Sequence, residues 1–201
     1  IVMTLWYRYG TKQISGFMYG YRGLLSKFDL PIMELNPEIV SKIHNLGGTI
    51  IGASRGYGDR VEEIVDSLER LKMNMLFIIG GDGTQKGAMD IVKEAKRRNL
   101  KISIIGIPKT IDNDLNFVDK SFGFETAVSR AVDAVSCAHV EAHDGINGIG
   151  IVKVMGRESG FIAANTALAI NDVNYVLIPE VRFKLEGENG LFANLERRLK
   201  R

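Results

Sequence analysis

The chain has 201 residues, 45% of them hydrophobic and 25% charged, which is the composition of an ordinary globular protein with one sizeable core. Its net charge of +2 excludes the strong electrostatic field that nucleic-acid or membrane-surface binding would need, so we expect neither partner. The single cysteine, Cys137, excludes an internal disulfide framework and favours a reducing, cytoplasmic compartment. Its apolar helical surroundings predict a small buried side chain rather than a nucleophile.

Alternating apolar runs and amphipathic stretches predict the fold class. The runs predict β-strands, which cover residues 13–21, 48–54, 75–81, 102–108, 149–156 and 173–180. Apolar residues three and four apart predict helices, which cover residues 59–72, 87–98, 124–143 and 158–170. This alternation predicts an α/β fold, with an open, mostly parallel sheet and helices on both faces. Uncapped helical patterns at both ends predict a single domain over 1–201 that is truncated at both ends.

An open parallel sheet binds ligands outside the carboxyl ends of its strands, so polar residues at those ends are candidates for a site. Four predicted strand ends carry such residues: "GASRG" (52–56), "GGDGTQ" (80–85), "PKTIDNDL" (108–115) and "MGRESG" (155–160).

The second of these ends is typical of a phosphate-binding turn. Its glycines let backbone N–H groups approach a ligand, and Thr84 or Gln85 is expected to begin a helix whose N-terminus favours anions. Asp82 would repel a phosphate directly, but it fits a Mg²⁺ ion held between a carboxylate and phosphate oxygens. An Asx turn closed by Asp82 is an equally open structural interpretation.

The other ends supply carboxylates and cations. Asp112 and Asp114 follow a lysine and a threonine. Together these four side chains could supply a general base, a metal ligand and a cationic contact to phosphate. Arg55 and Arg157 have the planar forks that suit bidentate phosphate recognition. Taken singly, "IDNDL" fits turn chemistry and each arginine fits an ordinary surface charge. Four such clusters on one sheet edge favour a phosphoryl-transfer site, although they do not decide which aspartate is the base.

The segments "GGDGTQKGA", "PKTIDNDL", "FGFETAV" and "VMGRESGFIA", in this order, resemble the phosphofructokinase family, most closely its ATP-dependent plant and trypanosomatid type. The similarity runs from residue 20 to residue 180. NAD kinases and diacylglycerol kinases share "GGDGT", but "PKTIDND" followed by "MGR" is specific to the phosphofructokinases. The resemblance implies the N-terminal, larger domain of that fold and the glycolytic, Mg²⁺-dependent transfer of the ATP γ-phosphate to the 1-hydroxyl of fructose 6-phosphate.

The resemblance also implies a role for each candidate residue. Asp112 would be the general base, Asp82 would bind Mg²⁺, and Asp114 would position the metal or its waters. Residues beside the donor phosphates would be Arg55, Gly56, Gly81, Asp82, Gly83 and Thr84. Residues at the sugar phosphate or the transferring group would be Thr110, Ile111, Asp112, Met155, Gly156 and Arg157. Thr110 and Arg157 would join Asp112 as catalytic residues.

Two positions bear on the choice of phosphoryl donor. In the family, the position of Gly83 tends to be Gly where ATP is the donor and Asp where pyrophosphate is, because a side chain there would intrude on the nucleotide α-phosphate. Lys109 is usual in pyrophosphate users, but the plant-like ATP enzymes combine Gly with Lys, as this sequence does. We therefore predict ATP as the donor.

Three alternatives stay open at this point. They are a pyrophosphate-dependent enzyme, a non-catalytic regulatory subunit of the same family, and a lipid or NAD kinase that shares "GGDGT". The family's first glycine-rich loop and its later 6-phosphate-binding residues are not in this sequence, which puts catalysis by this chain alone in doubt. The resemblance further implies a homo-oligomer for the full-length protein, and it leaves a plastid or a glycosome open beside the cytoplasm.

Overall fold

The computed structural model describes residues 1–200, and Arg201 lies outside the described residues. The described helices are α1 (Val2–Arg8), α2 (Pro37–Val40), α3 (Val61–Arg70), α4 (Asp82–Arg97), α5 (Phe124–Asp144), α6 (Phe161–Ala169) and α7 (Leu191–Leu199). The strands are β1 (Ser15–Phe17), β2 (Ile32–Glu34), β3 (Met75–Gly80), β4 (Ser103–Thr110) and β5 (Phe122–Gly123). Short 3-10 turns cover Gly20–Leu24, Ser26–Phe28 and Ile43–Asn45.

The chain divides into two compact units. The first unit contains Ile1–Ile78 and Gly83–Ile107, and the second contains Ile79–Asp82 and the chain from Pro108 onward. The larger sheet of the described chain has three strands in the order β3-β4-β5, and β5 runs parallel to β4 with Thr110 opposite Gly123. The β1 and β2 strands pair antiparallel as a separate ribbon. The α/β fold class predicted from the sequence is confirmed.

The core of the first unit follows the predicted helical spacing. On α3, Ile64, Val65 and Leu68 are fully buried, and on α4 Ile91 is fully buried. They belong to one apolar cluster that also contains buried residues of β3. Burial of such side chains stabilises the fold by roughly 1.5–3 kcal/mol each, so this packing fixes α4 against β3. The predicted helices over 59–72 and 87–98 are confirmed.

The core of the second unit is smaller. Phe124, Val128 and Ala131 of α5 pack with Ile162 of α6, and Ile111 is among the partly buried residues beside them. The predicted helix over 124–143 is confirmed, and the one over 158–170 begins only at Phe161. The buried residues of α5 all lie in its first half, whereas Cys137 is exposed. The prediction of a buried cysteine was therefore wrong.

Several predicted strands are absent from the described chain. Residues 48–54, 149–156 and 173–180 form no strand, and only Ser15–Phe17 of the predicted 13–21 strand is extended in a ladder. Gly48 and Gly52 have positive φ angles, which turn the backbone within the first of these segments. In the second, a Cβ on Gly150 would lie 2.7 Å from the Ala138 carbonyl, so the segment runs beside α5. Apolar composition predicts extended chain but does not supply the partner strand that a ladder needs.

The ends of β3 and β4 place the candidate residues. The two strands are confirmed close to their predicted bounds, and α4 begins at Asp82 rather than at the predicted Thr84 or Gln85. The helix therefore follows β3 almost directly, and Asp82 itself lies in its first turn. No helix among residues 1–200 is both long enough and apolar enough to cross a membrane.

Candidate active site

The carboxyl ends of β3 and β4 meet within the second unit. A Cβ placed on Gly81 would lie 3.4 Å from the Thr110 Cβ and 3.8 Å from the Lys109 carbonyl oxygen, which is ordinary van der Waals contact. Gly81 and Thr110 are therefore neighbours, although they are far apart in the sequence. Asp82 follows at once, exposed at the start of α4. The structure thus brings two of the predicted strand-end segments together.

The loop after β4 distinguishes the two candidate acids. The Asp112 N–H donates to the Thr110 hydroxyl oxygen at 3.1 Å, which closes a tight turn over Thr110–Asp112. Asp112 is half-buried in this turn, whereas Asp114 and Lys109 are exposed. A general base works best when it is fixed in a partly shielded position, so Asp112 is the better placed of the two carboxylates. The side chain of Ile111 packs against the apolar cluster of the second unit.

Side chains from outside the motif hold this loop. The Ser121 hydroxyl donates to the Thr110 carbonyl at 2.7 Å, and the Ser121 N–H donates to Asn113 Oδ1 at 2.8 Å. Asn113 has a φ of +54° and donates from Nδ2 to the Asp119 carbonyl at 3.0 Å. Asparagine tolerates this left-handed conformation better than most residues do. The loop shape is therefore fixed by hydrogen bonds rather than by apolar packing alone.

The "MGRESG" turn joins the same loop. Gly156 has a φ of +114°, and a Cβ there would lie 2.3 Å from the Ser159 carbonyl oxygen, so no larger residue fits. The Ser159 hydroxyl donates to the Asp112 carbonyl at 2.7 Å. Met155 and Arg157 are exposed on the turn. Within the second unit, the structure thus links the segment that carries Met155 and Arg157 to the loop that carries Asp112.

The first unit contains the remaining candidates. A Cβ on Gly83 would meet nothing within 4 Å, and its φ is not positive, so neither packing nor backbone conformation requires glycine there. A ligand that needs close backbone approach would explain the glycine. Thr84, beside it, is half-buried. Arg55 and Gly56 are exposed in their loop.

Two side chains whose contacts the sequence did not predict hold the first turn of α4 inside the first unit. The Tyr21 hydroxyl donates to the Thr84 carbonyl at 2.7 Å, and its ring lies against Gly87, where a Cβ would be 3.0 Å from the ring. Gln85 donates from Nε2 to the Ile107 carbonyl at 3.0 Å and occupies the space over Gly106. Tyr21 lies in "GYRGL", at the start of the resemblance, whereas the sequence carries no signal for the contact between Gln85 and Ile107.

The Tyr21 contact predicts a pH dependence of stability. Burial raises the pKa of Tyr21 to about 12 from its ordinary value of 10.0. The unfolded chain therefore loses this proton first, so the Tyr21 contribution to the free energy of unfolding is complete below about pH 10 and is lost toward pH 12. We expect the free energy of unfolding, measured with denaturant, to fall more over this interval in the wild type than in Tyr21→Phe. An equal fall in both proteins would contradict the burial of this phenol.

The acidic residues suit a metal that arrives with a nucleotide. Among residues 1–200 there is no group of three or more His, Cys, Asp or Glu side chains that could hold a metal ion by itself. Mg²⁺ commonly takes only one or two carboxylates and completes its shell with phosphate oxygens and water. Asp82 and Asp114 are both exposed in the second unit, so both can be reached from solvent. By its chemistry, each of these carboxylates suits Mg²⁺ accompanied by phosphates.

Comparisons with known proteins give one consistent result. The sequence profile of the phosphofructokinase family matches residues 1–201. The chain is 60% identical over 199 residues to an ATP-dependent 6-phosphofructokinase of Borreliella burgdorferi, which is 99% of this chain and 44% of that protein. It is 54% identical over 200 residues to ATP-dependent 6-phosphofructokinase 7 of Arabidopsis thaliana, which is 100% of this chain and 40% of that protein.

The fold has relatives among solved structures. The crystal structure of Pichia pastoris phosphofructokinase in the T-state matches with a TM-score of 0.76 at 24% sequence identity. The match covers 98% of this chain and 22% of that one, and at this identity it shows the fold alone. The chain spans less than half the length of these curated relatives and of this solved structure.

Proposed function

The chain belongs to the phosphofructokinase family over residues 1–201, and we propose that the protein is an ATP-dependent 6-phosphofructokinase, which transfers the γ-phosphate of ATP to the 1-hydroxyl of fructose 6-phosphate. The observation that carries this proposal is the hydrogen-bonded loop that fixes the half-buried Asp112 beside the turn of Arg157. Phosphoryl transfer needs little covalent chemistry from the protein, but it needs a fixed base and fixed cations.

Each residue then has a task in the reaction. Asp112 accepts the proton of the sugar 1-hydroxyl as the oxygen of that hydroxyl bonds to the γ-phosphorus. The bond between the γ-phosphorus and the oxygen that bridges it to the β-phosphate breaks at the same time, and ADP leaves. Arg157 stabilises the charge on the transferring group, with Thr110 beside it. Backbone groups of Ile111, Met155 and Gly156 contact the sugar phosphate.

The donor side uses the first turn of α4 and the loop before α3. We assign the donor phosphates to Gly81, Gly83 and Thr84, with Arg55 and Gly56 nearby. Mg²⁺, when bound, would supply positive charge to the donor phosphates, and Asp82 and Asp114 would hold it or its waters. The open space at Gly83 and the names of the similar proteins support ATP, whereas Lys109 is the feature that would suit pyrophosphate.

Replacing Asp82 by alanine should raise the Mg²⁺ concentration needed for half-maximal activity by about 10-fold or more, because a carboxylate that binds a metal ion or its waters contributes on the order of 10- to 100-fold in affinity. A matched control is Asp90→Ala, which removes an exposed carboxylate of the same helix that pairs with Lys93. Activity would be titrated with Mg²⁺ at saturating ATP. An unchanged metal dependence of Asp82→Ala would remove it from the metal site.

Phosphorus NMR of the reaction mixture tests the proposed chemistry. The full-length protein, incubated with fructose 6-phosphate, ATP and Mg²⁺, should form ADP and a sugar that carries phosphate on both C1 and C6. A product phosphorylated elsewhere would contradict the proposal. Calorimetric binding of fructose 6-phosphate without any turnover would favour a non-catalytic regulatory subunit of the same family.

The proposal extends to the setting of the protein. We take residues 1–201 as part of one phosphofructokinase-like domain, working on small-molecule substrates in a homo-oligomer. The cytoplasm is the proposed compartment, while two similar Arabidopsis thaliana proteins are named as chloroplastic. Size-exclusion chromatography with light scattering would measure the oligomeric state.

A further inference from the structure

A buried serine lies next to the proposed base. Ser159 is 8% exposed, and its hydroxyl donates to the Asp112 carbonyl at 2.7 Å. Burying a hydroxyl costs free energy unless it forms a hydrogen bond, so this contact is a fixed feature of the second unit. None of the roles proposed above includes Ser159.

Both peptide groups of Asp112 are held by hydroxyl side chains. Its N–H donates to the Thr110 hydroxyl and its carbonyl accepts from Ser159. The carbonyl of Thr110 in turn accepts from Ser121. Fixing the peptide planes on both sides of a residue fixes the direction of its Cα–Cβ bond, from which its carboxylate extends.

Ser159 has a rigid support of its own. On one side, the turn at Gly156 packs so closely against the Ser159 carbonyl that a Cβ would not fit. On the other side, the Gly160 N–H donates to Glu180 Oε1 at 2.7 Å. Helix α6 starts immediately afterwards, and its Ile162 is 2% exposed in the apolar cluster. The hydroxyl of Ser159 is therefore aimed by several independent contacts.

We propose that Ser159 is a positioning residue, which orients Asp112 and ties it to the turn that carries Arg157, so that the base and the cation keep one geometry. This inference rests on the proposed function. It assigns Ser159 no contact with substrate. Its effect is expected in kcat, because a misplaced base weakens the chemical step more than it weakens ground-state binding.

Steady-state kinetics of Ser159→Ala in the full-length protein test the proposal. We expect kcat to fall on the order of 10- to 100-fold, with the KM for fructose 6-phosphate and for ATP within about threefold of wild type. Ser159→Thr keeps a hydroxyl and should recover most of the loss. In an Asp112→Ala background, Ser159→Ala should cause no further loss, because both changes act through the same group.

Thr166→Val is the matched structural control. Thr166 is 2% exposed, and its hydroxyl donates to the Ile162 carbonyl at 2.7 Å within α6, so the variant also removes a buried hydroxyl hydrogen bond from the second unit. It should lower the Tm without lowering kcat. Equal kcat losses in Ser159→Ala and Thr166→Val would overturn the positioning role. If Ser159→Ala does not fold, Ser159→Cys, with nearly the same volume and a weaker donor, should show the same kcat loss.

The outcomes separate the two proposals. If the wild type forms fructose 1,6-bisphosphate and folded Ser159→Ala turns over at the wild-type rate, the positioning role is wrong and the proposed function stands. If the wild type forms no such product, the proposed function fails, and the positioning role fails with it.

Discussion

Replacing Asp112 by alanine should lower kcat for fructose 1,6-bisphosphate formation at least about 100-fold, which is the loss expected when a general base is removed. The loop itself should survive, because its hydrogen bonds use the backbone N–H and carbonyl of Asp112 rather than its carboxylate. Initial rates at saturating ATP, Mg²⁺ and fructose 6-phosphate would measure the effect, and thermal melting would verify that the variant folds.

The matched control for this variant is Asp119→Ala. Asp119 is an exposed aspartate of the same loop, and the loop uses only its backbone carbonyl, which accepts from Asn113. This variant should retain close to wild-type turnover. Near-normal kcat in Asp112→Ala would remove Asp112 from the role of base, and a large loss in Asp119→Ala would indicate a general sensitivity of the loop to charge.

Replacing Gly83 by aspartate should lower kcat/KM for ATP at least about 100-fold, because a carboxylate would stand where the nucleotide α-phosphate is expected and would repel it at close range. The fold should tolerate the change, since a Cβ at Gly83 meets no other atom within 4 Å. Pyrophosphate lacks the nucleotide α-phosphate, so any activity with pyrophosphate should suffer far less. Kinetics with each donor would be compared in the same preparation.

Gly83→Ala separates size from charge at this position. Alanine is the better helix former by roughly 0.5–1 kcal/mol, so this variant should be at least as stable as the wild type. It should lose less ATP activity than Gly83→Asp, because it adds a methyl group without a negative charge. Equal losses with ATP and pyrophosphate in Gly83→Asp would show that this position does not select the donor.

The helices were predictable because their apolar spacing is local. Ile64, Val65 and Leu68 repeat at helical intervals, and the structure buries all three on α3. The strands were less predictable, because a strand needs a partner that may lie anywhere in the chain. The run over 149–156 has strand composition but packs beside α5 instead of joining a ladder in the described chain. Cys137 shows the same limit, since periodicity places it on a helix without saying what covers that face.

The candidate site likewise contains some residues that the sequence could predict and others that it could not. Asp82, Asp112 and Arg157 could be proposed from the sequence because they are unusual residues at predicted strand ends. Ser159 was not found, because a serine in "RESG" is ordinary and its partner lies 47 residues away. The contact between Tyr21 and Thr84 spans 63 residues and was hidden for the same reason. Residues that do chemistry have a sequence signature, whereas residues that position them become visible only when the chain is folded.

The most direct test of the account is the rate of fructose 1,6-bisphosphate formation by the full-length protein, with ATP and pyrophosphate assayed in parallel at saturating fructose 6-phosphate and Mg²⁺. We predict turnover with ATP that far exceeds any turnover with pyrophosphate. Turnover with pyrophosphate alone would contradict the assignment of the donor through Gly83. No turnover with either donor would contradict the central claim that the residues around Asp112 form a working phosphoryl-transfer site.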